Sequence, residues 1–358
     1  MNHEVLLHKL LSFGICQNSF KWFQSYLKGR SQCVKWRGVF SDEKDVTIGV
    51  PQGSILGPLF FILFVNDYPK CLKHSNVSVY ADDTSQDVSH SSIDVIEQRL
   101  YEDLLNSMRW MENNKLTMNL KKTQCMLIGT TQRLSKCRKL CIKVGDIVLE
   151  TVRSAKLLGV QIDECLTWSA HIDSLCKKLS QKIGILRRLQ AFMSPAALLK
   201  VFNCIIFPHF NYCCTVWCSA KNKVFIDRLF KLQKRASRII LKVKVTQTPT
   251  ADIFRVLKWM PIHDYFIYRK MVLTFKVLKN LTPEYLNVFT FVHQISTRTT
   301  RNSENGILYI PRFRTEYFKR SFKVSSTLLW NELPESIRNC DTLSSFKSAY
   351  LQHFNTNK

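Results

Sequence analysis

Val77-Ser78-Val79-Tyr80-Ala81-Asp82-Asp83 is the stretch on which the reading of this chain turns. Alternating Val and a Tyr favour a short strand, and it runs straight into two adjacent acids. Neighbouring carboxylates repel, and they persist mainly where a cation compensates them. Oxygen ligands at a rigid strand end suit Mg²⁺, which keeps several waters and also binds substrate phosphates. Two such ions lower a nucleophile's pKa and stabilise the leaving oxygen in phosphoryl transfer. The competing explanation is a plain turn leading into Thr84-Ser85, and for an isolated Asp-Asp pair the turn is the commoner outcome.

Flanking segments add weight. Upstream, Gly49-Val50-Pro51-Gln52-Gly53-Ser54-Ile55-Leu56-Gly57 precedes an apolar helix that continues through Asn66. Gly53 allows close backbone approach to a base pair, and Gln52 can hydrogen-bond a base or sugar. Downstream, Asn119-Leu120-Lys121-Lys122-Thr123 puts Lys122 at a strand entrance, where it could meet a triphosphate. Taken singly, each is an ordinary turn.

The rest of the chain reads as helices with short strands. Helices are expected from Leu6 to Phe13, from Phe20 to Leu27 and from Ile93 to Asn113, the last with Ile93, Ile96, Leu100, Leu104 and Met108 on one face. Strands are expected over Gln32–Val39, Lys44–Val50, Cys125–Ile128, Leu140–Val144 and Leu157–Ile162. From His171 onward the pattern is mostly helical, with linkers at Thr246–Thr250 and Gln294–Gly306.

Charge divides the chain. Lys and Arg number 52 against 27 Asp and Glu, a net of +25, which favours a polyanionic partner. Residues 171–280 hold 21 of the basic residues and 4 of the acidic ones, so the excess is concentrated there. Within that segment Phe225–Lys242 reads as a helix that buries Ile226, Leu229, Phe230, Leu232, Ala236, Ile239 and Ile240. Arg228, Lys231, Arg235, Arg238 and Lys242 recur on its other side as a stripe of about 21 Å, long enough to meet several phosphates. A merely solvated face is the alternative, and Lys177, Lys178, Arg187 and Arg188 are the next place to look.

Thirteen dispersed cysteines without a leading signal peptide fit reduced, intracellular thiols better than a disulfide scaffold. Cys204, Cys213, Cys214 and Cys218 lack a C-x-x-C pair and are interleaved with apolar residues, which argues against zinc. The apolar run Val201–Ala220 contains Asn203, Pro208, His209 and Asn211 and reads as buried segments around a Pro-marked turn, with no membrane span.

In this order and spacing the motifs resemble the palm of a reverse transcriptase of non-LTR (LINE-type, jockey-like) retrotransposons. Gly49–Asp67 matches that family's second palm motif, Tyr80–Asp83 its YADD box, Trp110–Thr123 the next motif and Lys156–Val160 the primer-grip region. The likeness continues through Leu166-Thr167-Trp168 with His171, Tyr212 with Trp217, and Trp330–Pro334. It implies an α+β fold: an incomplete right-hand palm (1–165, antiparallel sheet with helices), a basic helical thumb (166–245) and a mostly helical C-terminal extension (246–358). It further implies Asp82 and Asp83 as catalytic Mg²⁺ (or Mn²⁺) ligands, Gln52 and Gly53 on template and nucleotide, and Lys122 on the phosphates. RNA template, DNA primer and dNTPs are the implied partners. The pattern departs in one respect: the family's first palm motif carries a further metal-binding Asp. The acids before Gly49 are Glu4, Asp42, Glu43 and Asp45, none of them in a matching context. The expectation is an N-terminally truncated polymerase domain that is inactive alone, with a catalytically dead nucleic-acid-binding remnant as the alternative.

Overall fold

The computed structural model describes residues 1–218, 223–244, 248–295 and 306–356. It divides into two units, Met1–Ala155 and Lys156–Lys358. The expected palm–thumb boundary at 165/166 lies inside the second unit, which also contains both the expected thumb and the expected extension.

The first unit has two small cores. Helices α1 (His3–Ser12), α2 (Gln17–Leu27) and α3 (Leu56–Val65) enclose Leu6, Leu10, Leu27, Phe60 and Phe64. Asn2 starts α1 by accepting the Val5 N–H at 3.1 Å, and Phe23 meets Phe60 edge-on with ring centroids 5.3 Å apart. Leu11 and Phe13, expected on the apolar face of α1, are instead exposed, while Leu6 and Leu10 are buried with Val5 and Leu7 packed against the same core. The second core lies under α4 (Ile93–Asn113), where Ile96 and Leu104 pack with Leu140, Ile142, Val144 and Leu149.

Among the described residues strands pair only in twos, so no continuous palm sheet is present. The expected strand Gln32–Val39 is broken at Arg37-Gly38, whose φ angles of 49° and 87° make a tight reversal. Lys35-Trp36 therefore folds back on Val39-Phe40, and Ser31-Gln32 pairs with Lys44-Asp45. The expected strand Leu157–Ile162 is likewise a hairpin, β3 (Ser154–Leu157) and β4 (Val160–Asp163), because Leu158 and Gly159 both take positive φ. The longest pairing among the described residues is the five-residue hairpin of β1 (Asn76–Tyr80) and β2 (Asp83–Asp87).

The second unit is helical beyond its hairpin. Helices α5 (Ser169–Leu189), α6 (Pro195–Val201) and α7 (Lys223–Leu241) bury Leu179, Ile183, Leu198, Leu229 and Ile240 against one another. After α6 the helix widens by a π turn at Phe202–Ile206 before continuing at Phe207–Asn211. Pro208 explains the widening, since it has no N–H to close the ordinary bond. Cys214 and Cys218 sit in the same core as Trp217, and burial pushes the Cys214 thiol up to about 12. Following α8 (Thr250–Leu257), helix α9 (Ile262–Leu278) joins two cores: Ile262 and Phe266 belong to the first, while Met271, Val272 and Phe275 meet Trp330, Phe346 and Tyr350 from α10 (Phe322–Asn331) and α11 (Leu343–Thr356). All thirteen cysteines are free thiols, and no described helix is long and apolar enough to cross a membrane. Most of the expected linker Gln294–Gly306, and part of Thr246–Thr250, lie outside the described residues.

One surface of the first unit is conspicuously apolar. Ile55 is 94% exposed, and Leu59 and Ile62 follow it at one-turn and two-turn spacing along α3. Replacing Ile55 and Ile62 by Ser is expected to lower binding of a hydrophobic dye while moving thermal stability by less than about 0.5 kcal/mol. Phe60→Ala, on the buried face of the same helix, should cost about 3–5 kcal/mol. Equal effects of the two changes in a melt would contradict this division of faces.

Candidate active site and nucleic-acid interface

The acidic pair sits at the tip of the β1–β2 hairpin. Its antiparallel register runs from Asn76 opposite Asp87 to Tyr80 opposite Asp83, leaving Ala81 and Asp82 as the two-residue turn. Ala81 takes a φ of 52°, a left-handed conformation costing a non-glycine residue roughly 1–2 kcal/mol. That reversal lets a five-residue ladder end with both acids at one point. Asp82 and Asp83 are exposed, and neither carboxylate has an ion-pair or hydrogen-bond partner among the described residues. Two adjacent, uncompensated, solvent-facing carboxylates fit a hard divalent ion that keeps waters and shares substrate phosphates.

A two-stranded hairpin is marginal by itself, so its base matters. Gln86 of β2 donates from Nε2 to the Tyr68 hydroxyl at 2.6 Å and to Ser107 Oγ at 2.9 Å. Tyr68 and Ser107 are themselves 3.0 Å apart, both buried, and Ser107 belongs to α4. One turn earlier on α4, the buried Asp103 carboxylate accepts from the backbone N–H groups of Lys73, His74 and Ser75 and from the Ser75 hydroxyl, all at 2.7–2.9 Å. Burial alone would raise its pKa, but these four donors outweigh burial and hold the carboxyl below the ordinary carboxylate range. Sequence reading missed Asp103, because an acid beside Glu102 in a long helix looks like a solvated one.

The other expected contacts lie on separate segments. Gly53 has a φ of 80° and nothing within 4 Å of where a Cβ would stand, so this turn needs glycine and leaves its backbone open. Gln52 beside it is exposed, and the segment is anchored at Gly49, whose carbonyl meets His3 Nε2 at 2.7 Å and whose N–H donates to the Met1 carbonyl at 2.7 Å. Lys122 is exposed in the Asn119–Thr123 turn, where its N–H donates to the Asn119 carbonyl, just before the strand pair Gln124-Cys125. No hydrogen bond or ion pair joins Gln52, Gly53 or Lys122 to Asp82 or Asp83 among the described residues. A contact not foreseen is Lys9, whose ammonium is 2.6 Å from both Asp67 Oδ1 and the Phe64 carbonyl and lies 4.6 Å from the Trp110 ring centroid.

In the second unit the basic stripe is only partly free. Ile226, Leu229, Ala236, Ile239 and Ile240 are buried as expected, with Phe230 and Leu232 packed beside them. Arg228, however, pairs with Asp173 of α5 at 2.5 Å. Arg238 is half-buried and donates to the Thr250 hydroxyl at 3.1 Å. These two guanidiniums tie α7 to its neighbours, a correction to the expected continuous stripe. Lys231, Arg235 and Lys242 remain exposed, and Lys242 stands one residue beyond the helix with a φ of 58°. Lys177, Lys178, Arg187 and Arg188 are exposed on α5. The buried Gln233 was not foreseen: it accepts the Ile262 N–H at 2.9 Å and so caps α9.

Residues 1–162 match the family described as reverse transcriptase (RNA-dependent DNA polymerase). The chain is 27% identical over 232 residues to a probable RNA-directed DNA polymerase from transposon X-element of Drosophila melanogaster, covering 62% of this chain and 25% of that protein. It is also 27% identical over 248 residues to the RNA-directed DNA polymerase from mobile element jockey of Drosophila funebris, covering 66% of this chain and 26% of that protein. Against a Pol polyprotein from type-1 retrotransposable element R1 of Bradysia coprophila it is 25% identical over 276 residues, or 74% of this chain and 26% of the relative. The chain thus spans about a quarter of the length of these relatives.

Two outcomes are expected from this geometry. Asp103→Ala should destabilise the first unit by about 3 kcal/mol, since it orphans buried backbone donors. Because the folded-state pKa of Asp103 is depressed, its contribution is present above the ordinary carboxylate range and lost as pH falls through the depressed value. The gap between wild type and Asp103→Ala in urea melts should therefore close at low pH. For the basic surface, changing Lys231, Arg235 and Lys242 to Gln should make the log–log salt slope of RNA–DNA hybrid binding shallower by roughly 2–3 units. Arg228→Gln should instead cost up to about 1 kcal/mol of stability. An unchanged slope in the triple variant would return this face to simple solvation.

Proposed function

Residues 1–162 are a reverse transcriptase domain of the non-LTR retrotransposon kind, and from that premise we propose that the β1–β2 hairpin is where RNA-directed DNA synthesis assembles its divalent ion. The observation carrying this reading is the pair of unpartnered, exposed carboxylates at the tip of a hairpin whose base is hydrogen-bonded to α4. Asp82 and Asp83 would hold Mg²⁺, or Mn²⁺ in its place. When bound, the ion supplies Lewis acidity and charge neutralisation to phosphoryl transfer. Gln52 would hydrogen-bond a base or sugar, and the open Gly53 turn would lie against a base pair. Lys122 would pair with the triphosphate of a dNTP. Lys231, Arg235 and Lys242 would contact the sugar-phosphate backbone of an RNA template and DNA primer, contributing salt-sensitive affinity without sequence choice.

A second reading, nucleic-acid binding without polymerisation, is favoured by one observation. Among the described residues no group of three or more His, Cys, Asp or Glu side chains could surround an ion. Metal-assisted transfer depends on fixed coordination, and the further Asp of the family's first palm motif has no match among Glu4, Asp42, Glu43 and Asp45.

One pair of measurements separates these. Electron paramagnetic resonance should show that residues 1–358 bind Mn²⁺ and that Asp82→Ala with Asp83→Ala abolishes this binding; unchanged binding would remove the hairpin as the ion site. In primer extension on poly(rA) with dTTP, the same chain is expected to bind the hybrid and add no nucleotide with either ion. Incorporation that disappears in Asp82→Ala would instead establish polymerisation by these residues alone.

A further inference from the structure

The ammonium of Lys9 joins α1 to two other parts of the first unit. It is 2.6 Å from both Asp67 Oδ1 and the Phe64 carbonyl at the end of α3, and 4.6 Å from the Trp110 ring centroid of α4. Trp110 meets Tyr68 edge-on with centroids 5.0 Å apart, and Tyr68 follows Asp67 directly in the chain. The Tyr68 hydroxyl in turn accepts from Gln86 Nε2 at 2.6 Å. Gln86 lies on β2 three residues from Asp83, about 10 Å along the strand. Lys9 and the acidic tip are thus connected through two aromatic rings and one amide.

Two observations single out these contacts. The Trp110 indole nitrogen is buried and has no hydrogen-bond partner among the described residues. Its ring is therefore oriented by packing, by the Lys9 ammonium on its face and by Tyr68 at its edge. The other observation is where α1 begins. His3 Nε2 donates to the Gly49 carbonyl and the Met1 carbonyl accepts the Gly49 N–H, both at 2.7 Å, three residues before Gln52. Six residues, or about 9 Å of helix, separate His3 from Lys9. Leu6 and Leu10 bury that helix in the core against Phe60 and Phe64. One fixed helix thus reaches the Gln52–Gly53 segment at one end and the surroundings of the hairpin base at the other.

We propose that Lys9 and Gln86 are positioning residues for the divalent ion: through Trp110 and Tyr68 they hold the Asp82–Asp83 tip in a fixed place relative to the Gln52–Gly53 turn. This rests on the hairpin being the ion site, as argued above. Neither side chain touches the ion. A loosely held tip samples many arrangements, and ordering it would oppose ion binding. Gripping Gln86 and its Tyr68 partner orders the tip before the ion arrives. Groups that orient metal ligands without touching the metal commonly change its affinity about tenfold or more. The sign of the effect is informative, because loss of an ammonium would by Coulomb attraction alone favour a cation. Weaker ion binding in a folded Lys9 variant therefore reports placement.

The test is Mn²⁺ binding by the full chain, read by electron paramagnetic resonance below the melting temperature of each variant. Lys9→Met and Gln86→Leu are each expected to weaken binding about tenfold. Lys21→Met removes the same charge from an exposed position of α2 and should not weaken it. A second readout is the fluorine NMR signal of Trp110 in chain labelled with 5-fluorotryptophan, assigned through Trp110→Phe. Mg²⁺ should shift that signal in the wild type and leave it unmoved in Gln86→Leu, a difference that a merely stabilising contact would not produce. This readout decides the matter if Lys9→Met fails to fold. Full Mn²⁺ affinity in folded Lys9→Met or Gln86→Leu, or a wild-type Trp110 signal that ignores Mg²⁺, overturns the positioning role. The hairpin then stays the ion site provided that Asp82→Ala with Asp83→Ala abolishes Mn²⁺ binding. Binding retained in that double variant removes the ion site itself, and the positioning role falls with it.

Discussion

A buried carboxylate holds the hairpin end of the first unit together. Asp103 of α4 takes three backbone N–H groups and one hydroxyl from Lys73–Ser75, the residues that lead directly into β1. One turn further along α4, Ser107 meets Tyr68 and Gln86, so the same helix face grips both strands of the hairpin. Without these two attachments the hairpin would be a two-stranded ribbon in water, which is rarely stable. The acids at its tip are therefore positioned by a third acid buried at its base. Carboxylates of one residue type have opposite fates here because one is surrounded by donors and the others face solvent.

The strong positive charge of the second unit follows a similar logic. Its helices bury apolar faces against one another, so lysine and arginine must occupy what remains outside. Where a guanidinium stands close to a neighbouring element, it is drawn into the fold, as Arg228 is by Asp173 and Arg238 by Thr250. Those two arginines lie on the flank of α7 that meets its neighbours, whereas Lys231 and Arg235 project into water. A stripe that is continuous on a helical wheel is thus divided by tertiary contacts into cations that brace the structure and cations available to a polyanion.

Much of this was legible in the residues themselves. Ile93–Asn113 follows from a strict three- and four-residue apolar spacing, and the helix occupies those residues. The strand ending at Tyr80 and the turn at Ala81-Asp82 follow from β-branched alternation interrupted by acids. Longer strands were misjudged at Arg37-Gly38 and Leu158-Gly159, since alternation continues through a two-residue reversal in which only φ changes sign. Hydropathy cannot register that change.

The sequence by itself determined the family of residues 1–162, the acidic tip and the segregation of charge, because motif order, local propensity and composition need no partner to be recognised. Tertiary structure alone decided which polar groups are spent on holding the chain together. Asp103 and Glu102 are adjacent acids in one helix, yet the first is buried among donors and the second pairs at the surface with His74. Arg228 and Lys231 are one turn apart, yet the first is paired and the second exposed. The reason is physical: a charge's role depends on the donors, acceptors and solvent within a few ångströms, and those neighbours come from residues tens of positions away.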